Sequence, residues 1–148
     1  MIQSVNIFNE RVLSNLSDSL SGKWEAGSFQ EPKQEEDKSV SARNFKAEGR
    51  EVQVMLKTKF DKVDEKTTRV GAEVILYSAN VIMQFNNTGM GIKFPQMRRI
   101  GYNDFYIKAQ DQEKWSSELG ENIQKAFLQL VAFEDKVKEN FTRIFQGV

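Results

Sequence analysis

The chain contains no cysteine and no histidine among its 148 residues. Without cysteine it forms no disulfide and offers no thiolate to a metal or to a substrate. Without histidine it lacks the side chain that most often serves as a general base and as a metal ligand. These two absences disfavour an enzyme, and the sequence predicts no catalytic residue and no cofactor.

An excess of charge of one sign and a long hydrophobic run are missing as well. Its 21 basic residues balance 21 acidic residues, so the formal net charge is zero. Such a chain has no overall field to attract nucleic acid or an anionic membrane, and nucleic-acid binding is therefore disfavoured. No apolar run reaches the roughly 18 residues that mark a membrane span. We expect a cytoplasmic protein that does not enter a membrane.

The strongest positive signal is one long amphipathic helix over residues 111–146. Asp111 can cap its start, and Gly147 stands where helices commonly end. A helix of roughly 35 residues is about 50 Å long, which exceeds the span of a small domain. Either it lies across a whole sheet or its far end packs on another chain. The apolar residues that recur at steps of three or four are Trp115, Leu119, Ile123, Ala126, Phe127, Leu130, Phe133, Val137, Phe141 and Ile144.

The sequence before the sheet divides into a helix and a polar segment. A first amphipathic helix is predicted over residues 4–20, because apolar side chains recur there at helical spacing. The composition then changes over residues 21–43, where Gly22, Gly27 and Pro32 interrupt polar and charged sequence without periodicity. This composition favours a long, mobile, charged loop.

An antiparallel sheet is predicted over residues 45–109. Apolar and polar side chains alternate from Val52 to Phe60, which indicates a strand with one face in water. The short gaps between strands favour a meander over helical crossovers. The predicted class is α+β, a single domain in which an N-terminal helix and a long C-terminal helix flank a sheet of about five strands. The further predicted strands cover residues 67–77, 81–85, 92–94 and 99–108.

One candidate ligand site lies between Asn86 and Tyr106. The glycine-rich turn at its start can present backbone N–H groups to an anion, and a guanidinium forms a planar fork for phosphate or carboxylate. The alternative is an ordinary hairpin turn followed by arginines that discourage pairing between sheet edges. The candidate residues for an anionic small molecule or nucleotide are Asn86, Asn87, Arg98, Arg99, Tyr102 and Tyr106.

Two groups of aromatic residues are candidates for partner binding. Trp24 and Phe29 stand among charges, where they either anchor a partner or fold back onto the edge of the sheet. The second group lies at the far end of the long helix. A sheet of five strands is about 25 Å wide and covers about half of that helix, so the part from Val131 onward needs another subunit or the first helix to cover it. The candidate residues there are Phe133, Phe141 and Phe145.

Together these patterns predict a non-catalytic, oligomeric interaction or adaptor protein of phage or bacterial accessory type. The long helix is expected to mediate self-association, and a protein partner is compatible with the same surface. The alternative is a module that binds or sequesters an anionic small molecule on the open face of the sheet. The acidic residues between 31 and 37 and between 61 and 65 alternate with lysines, so we interpret them as solvated and predict no metal site.

Overall fold

The computed structural model describes residues 2–35, 37–84, 91–108 and 111–146, except for the side chains of 2–4, 29, 31, 32, 34, 35, 79–84, 91–96, 100–105, 107, 112 and 141–146. Five strands form one antiparallel sheet in the order β1-β2-β3-β4-β5. Both helices contribute to one core with the same face of that sheet, which we call the inner face. The elements are α1 (Ile2–Leu20), β1 (Glu25–Glu35), β2 (Lys38–Ala47), β3 (Arg50–Lys62), β4 (Thr67–Gln84), β5 (Gly91–Lys108) and α2 (Gln112–Gln146).

The predicted α+β class is confirmed, with an N-terminal helix, five antiparallel strands and a long C-terminal helix. The helix predicted over residues 4–20 corresponds to α1, and the helix predicted over 111–146 corresponds to α2. In the described part of the chain, neither helix has a stretch that is both long and apolar enough to cross a membrane.

The predicted loop over residues 21–43 is wrong. Most of this segment forms β1 and the first part of β2, which pair with each other in antiparallel fashion. β1 is an edge strand, and its register is irregular between Gln30 and Lys33, where Pro32 lies. An edge strand tolerates proline and polar residues because one side of its backbone needs no hydrogen bond from a neighbouring strand. The polar sequence of β1 has no period of two, and for that reason the strand was not predicted.

The predicted count of five strands is right, but the strands themselves differ from the prediction. The segments predicted separately over 67–77 and 81–85 belong to one strand, β4, and those predicted over 92–94 and 99–108 belong to β5. One register irregularity of the β4–β5 ladder, between Ser78 and Val81 and opposite residues 94–96, lies where both strands were predicted to be interrupted. A bulge interrupts the period-two pattern of side chains while the ladder continues beyond it.

The turn between β2 and β3 is tight and places Arg50 at one end of the sheet. Ala47 pairs with Arg50 across this turn. The residues between them, Glu48 and Gly49, have φ values of 52° and 80°. Positive φ at both central residues is the requirement of a type I′ hairpin turn, whose twist matches that of the strands.

The core fills the space between the inner face and the helices. The centroid of the Phe127 ring lies 4.9 Å from that of Trp24 and 5.7 Å from that of Phe45, in both cases edge to face. The two helices approach closely at Gly120, where an added Cβ would lie 3.3 Å from the Cβ of Asn15. Each fully buried Leu or Phe side chain contributes about 1.5–3 kcal/mol to stability. Buried apolar residues of the helices include Val5, Phe8, Val12, Leu13, Leu16, Leu20, Leu119, Ile123, Ala126, Phe127, Leu130 and Val131.

Candidate functional site

The first candidate surface is the end of α2, where Glu134 is the last side chain described as buried. The side chain of Glu134 is buried, whereas those of residues 135, 136 and 138–140 are exposed and that of Val137 is half-buried. The helix nevertheless continues to Gln146. Residues 135–146, which we call the terminal segment, extend the helix by about 18 Å at 1.5 Å per residue.

The core extends along α2 at least to Glu134. Val131, from which the sequence predicted that another subunit or the first helix must cover α2, is 7% exposed and belongs to the core of its own subunit. A polar contact holds the next turn of α2 against the end of the sheet. The hydroxyl of Ser78 donates a hydrogen bond of 2.7 Å to Glu134 Oε2, and Arg50 Nη2 lies 3.2 Å from Glu134 Oε1.

This contact joins α2 to the beginning of β3 and to β4. Arg50 also bonds Asp135 Oδ1 through Nη1 at 2.8 Å, so one guanidinium holds two successive carboxylates of the helix. A buried carboxylate is costly unless hydrogen bonds and a counter-charge satisfy it, and Glu134 has both. Sequence reasoning missed the contact, since its members lie far apart along the chain.

Of the aromatic residues of α2 that were predicted to bind a partner, only Phe133 has a described side chain. Phe133 is 51% exposed, although it precedes the buried Glu134 by one residue. Leu128, one and a half turns earlier on α2, is 47% exposed. Phe141 and Phe145 lie in the helical backbone of the terminal segment, but their side chains are outside the description. Phe133 therefore offers exposed apolar surface next to the buried Glu134.

Trp24 is not available to a partner. The prediction that it anchors one is wrong, because its side chain is 4% exposed and packs against Phe127. Its backbone N–H donates a hydrogen bond of 2.8 Å to the carbonyl of Leu20, which turns the chain back over the end of α1. The alternative placed the ring on the edge of the sheet; the ring does fold back, but into the core against Phe127 of α2. Phe29 lies in β1, and its side chain is not described.

The second candidate surface is the open face, the side of the sheet opposite the helices. Its side chains alternate with those of the core along β3 and β4. One half of this face is largely apolar, with Met55, Ile75, Tyr77 and Met97 on three neighbouring strands. The other half is charged and surrounds Gly71.

A depression of about 210 Å³ lies in the charged half, and we call it the Gly71 depression. A Cβ added to Gly71 would meet no atom within 4 Å, so the missing side chain leaves open space above the sheet. Gly71 pairs directly with Lys59 of β3. The residues that line the depression are Lys38, Lys57, Lys59, Asp61, Arg69, Gly71, Ala72 and Glu73.

A chain of ion pairs fixes two of the cations at this depression. Lys59 Nζ lies 2.7 Å from Asp37 Oδ2 and 3.7 Å from Asp61 Oδ2, and Arg69 Nη2 lies 3.0 Å from the same Asp61 oxygen. The hydrogen bond from Lys59 lowers the pKa of Asp37, and the same bond raises the pKa of Lys59. Both groups therefore keep their charges near neutral pH.

The two arginines of the predicted ligand site point to opposite faces. Arg98 pairs with Leu76, whose side chain is in the core, and Arg99 pairs with Ile75 of the open face. Consecutive side chains of a strand alternate between faces. Arg99 Nε lies 2.9 Å from Glu73 Oε1, in an ion pair on the open face. A ligand on that face reaches Arg99 and not Arg98.

Tyr106 joins Arg99 on the open face because of a bulge. The register of the β4–β5 ladder shifts between Val70 and Ala72, and beyond this shift Tyr106 pairs with Arg69. Arg99 and Tyr106 are an odd number of positions apart, so a regular strand would place them on opposite faces. The bulge restores them to one surface, and Tyr106 is 58% exposed there.

The rest of the predicted ligand site is not described. Asn86 and Asn87 lie outside the described residues, as does the side chain of Tyr102. In the described part of the chain, no group of three or more acidic side chains is arranged to hold a metal ion.

Comparison with known proteins adds no family to these observations. The chain matches no protein-family model, no curated protein and no solved structure.

Proposed function

We propose that this chain is a non-catalytic interaction protein of the cytoplasm that self-associates through the terminal segment of α2. One observation carries the proposal: α2 continues for about 18 Å beyond Glu134, its last described buried side chain. An isolated helix of this length gains little stability from its own backbone, because most helical stability in proteins comes from packing of an apolar face. A second copy supplies that packing.

Phe133, just before the terminal segment, and the first residues of that segment support a contact between identical copies. Phe133 is half-exposed, and Val137 follows one helical turn later. Lys136, Lys138 and Glu139 give this segment charges of both signs. A two-fold contact brings the same patch of both copies together, and mixed charges can pair across an antiparallel arrangement of the two helices.

Light scattering of the purified protein at micromolar concentration tests the proposal. We expect at least a dimer for the wild type, and a monomer for the double variant Phe133→Ser with Phe141→Ser. The matched control is Val63→Ser, which removes an apolar side chain of similar exposure (57%) from the turn after β3. A wild type that stays monomeric at all concentrations contradicts the proposal. So does a double variant that unfolds before it dissociates, because its rings would then belong to the core of one subunit.

A further inference from the structure

We infer that the Gly71 depression binds a phosphate dianion, either inorganic phosphate or the phosphate of a small phosphomonoester. This site is separate from the terminal segment of α2 and does not depend on self-association. It stands on the open face, on the opposite side of the sheet from the helices.

Charge is the first support. Four cations and two acids line the depression, and the outer partners of its ion pairs add one acid, Asp37, and one cation, Arg99. Cations therefore outnumber acids by two. A phosphate dianion matches that excess, whereas a monoanion leaves half of it uncompensated. The lining cations Lys38, Lys57, Lys59 and Arg69 come from β2, β3 and β4, and the sheet therefore holds them in a fixed arrangement around the depression.

Position is the second support. Lys59 is the direct cross-strand partner of Gly71, and Arg69 lies two residues before Gly71 on the same face of β4. Cross-strand neighbours lie about 5 Å apart, so both head groups can reach a ligand above the glycine. Asp61 holds both cations through its Oδ2 atom. An arginine fork that is already oriented is well suited to phosphate.

Glycine itself is the third support. Glycine inside a strand costs stability, and it commonly marks a bulge or the close approach of another group. Gly71 does not adopt a positive φ, and the extra residue of the neighbouring bulge belongs to β5. Backbone conformation therefore does not require glycine here. What its missing side chain provides is room above the sheet.

The volume of the Gly71 depression limits the size of the ligand that it can hold. Pockets for drug-sized molecules measure about 300–1,000 Å³, and the Gly71 depression is smaller at about 210 Å³. It suits a compact anion or one phosphate of a larger molecule. Tyr106 of β5 pairs with Arg69 of β4 and so lies beside the depression. Its ring can contact the organic part of a phosphomonoester there.

Titration calorimetry with three probes tests this inference: inorganic phosphate, phenyl phosphate and acetate, each at matched ionic strength. We expect saturable binding of both phosphates to the wild type and much weaker binding of acetate. Gly71→Val fills the depression, and we expect it to weaken phosphate binding by at least about tenfold. Tighter binding of phenyl phosphate than of phosphate identifies a monoester as the ligand, and equal binding identifies the phosphate group alone.

The control for Gly71→Val is Gln53→Val, which places valine in the apolar half of the open face, outside the depression, and should leave phosphate affinity unchanged. Gly71→Ala, a smaller filling, serves if the valine variant unfolds. The inference is overturned if neither phosphate binds saturably, if acetate binds as tightly as phosphate, or if the filled variants bind phosphate like the wild type.

Discussion

Glu134 and Arg50 meet across the end of the sheet, with 3.2 Å between Oε1 and Nη2, and Glu134 is the last side chain of α2 that is described as buried. Glu134 is almost fully buried, while the side chain of Arg50 is 26% exposed. The carboxylate is thus oriented by the guanidinium and by the hydroxyl of Ser78.

Replacing Glu134 should therefore loosen α2 from the sheet. We expect Glu134→Ala to lower the free energy of unfolding by about 2–3 kcal/mol, because it removes a buried hydrogen-bonded charge and leaves Ser78 without this acceptor. Asp135→Ala is the matched control, since it removes the exposed partner of the same guanidinium, and its cost should stay below about 1 kcal/mol. Urea unfolding measures both. Equal effects of the two variants would mean that the buried Glu134 contributes no more to the free energy of unfolding than the exposed Asp135.

The close contact of the helices at Gly120 predicts a steric effect. An added Cβ would lie 3.3 Å from Asn15 Cβ and 3.5 Å from the carbonyl oxygen of Val12. We expect Gly120→Val to lower the free energy of unfolding by about 1–3 kcal/mol, because the larger side chain forces α1 and α2 apart. Glu118→Val places the same residue at an exposed position of α2 and should cost well under half as much. Thermal unfolding of the two variants compares them.

A buried hydroxyl on the inner face predicts a stabilising substitution. Thr58 is fully buried, and within the described residues its Oγ1 has no hydrogen-bond partner. Thr58→Val keeps the shape and removes this cost, so the free energy of unfolding should rise by about 1 kcal/mol. Ser39→Ala, at the position that pairs with Thr58, should destabilise, because its hydroxyl bonds Asn6 and Asn9. A loss of stability in Thr58→Val would show that its hydroxyl has a partner in solution.

The turn between β3 and β4 predicts a dependence on pH. Asp64 Oδ1 accepts hydrogen bonds of 2.8 Å from the backbone N–H groups of Lys66 and Thr67. The bond from Lys66 is the main reason that the pKa of Asp64 lies below its ordinary value of 3.8. A lowered pKa in the folded state stabilises the protein above the unfolded pKa, and this stability is lost as the pH falls through the folded pKa.

Asp64→Ala should accordingly reduce stability near neutral pH, and its difference from the wild type should shrink as the pH falls below 3.8. Asp64→Asn keeps an acceptor oxygen that does not ionise and should lack this part of the pH dependence. Urea unfolding at about pH 7 and about pH 2 measures both variants. A difference between Asp64→Ala and the wild type that is the same at both pH values would contradict the assignment.

The elements that could be predicted from sequence are those with an uninterrupted pattern. α1, α2 and β3 each bury one continuous face, so their periods of 3.6 or 2 are visible in the chain. β1 was missed because an edge strand can carry Pro32 and charged residues. β4 and β5 were each divided in two because one bulge, between Ser78 and Val81, shifts the alternation, which only the pairing between strands reveals.

The candidate site could be predicted only in part, for the same reason. Arg99 and Tyr106 were predicted, and their place on one face depends on a bulge that leaves no mark in the sequence of β5 alone. The cations around Gly71 come together through strand register, which the sequence does not display. One available signal was overlooked: a single glycine inside an apolar strand pattern, Gly71, indicates a bulge or the close approach of another group.

The distance between spin labels placed on the terminal segments of two copies tests self-association most directly. The chain has no cysteine, so Lys138→Cys, at an exposed position of the terminal segment, carries a single spin label. Self-association through this segment predicts a dipolar coupling between labels on two copies, which disappears on dilution with unlabelled protein. A label at Lys66→Cys, in the turn after β3, should give a longer distance or none. A Lys138 label that shows no coupling between copies, under conditions where light scattering detects an oligomer, would contradict the proposed interface.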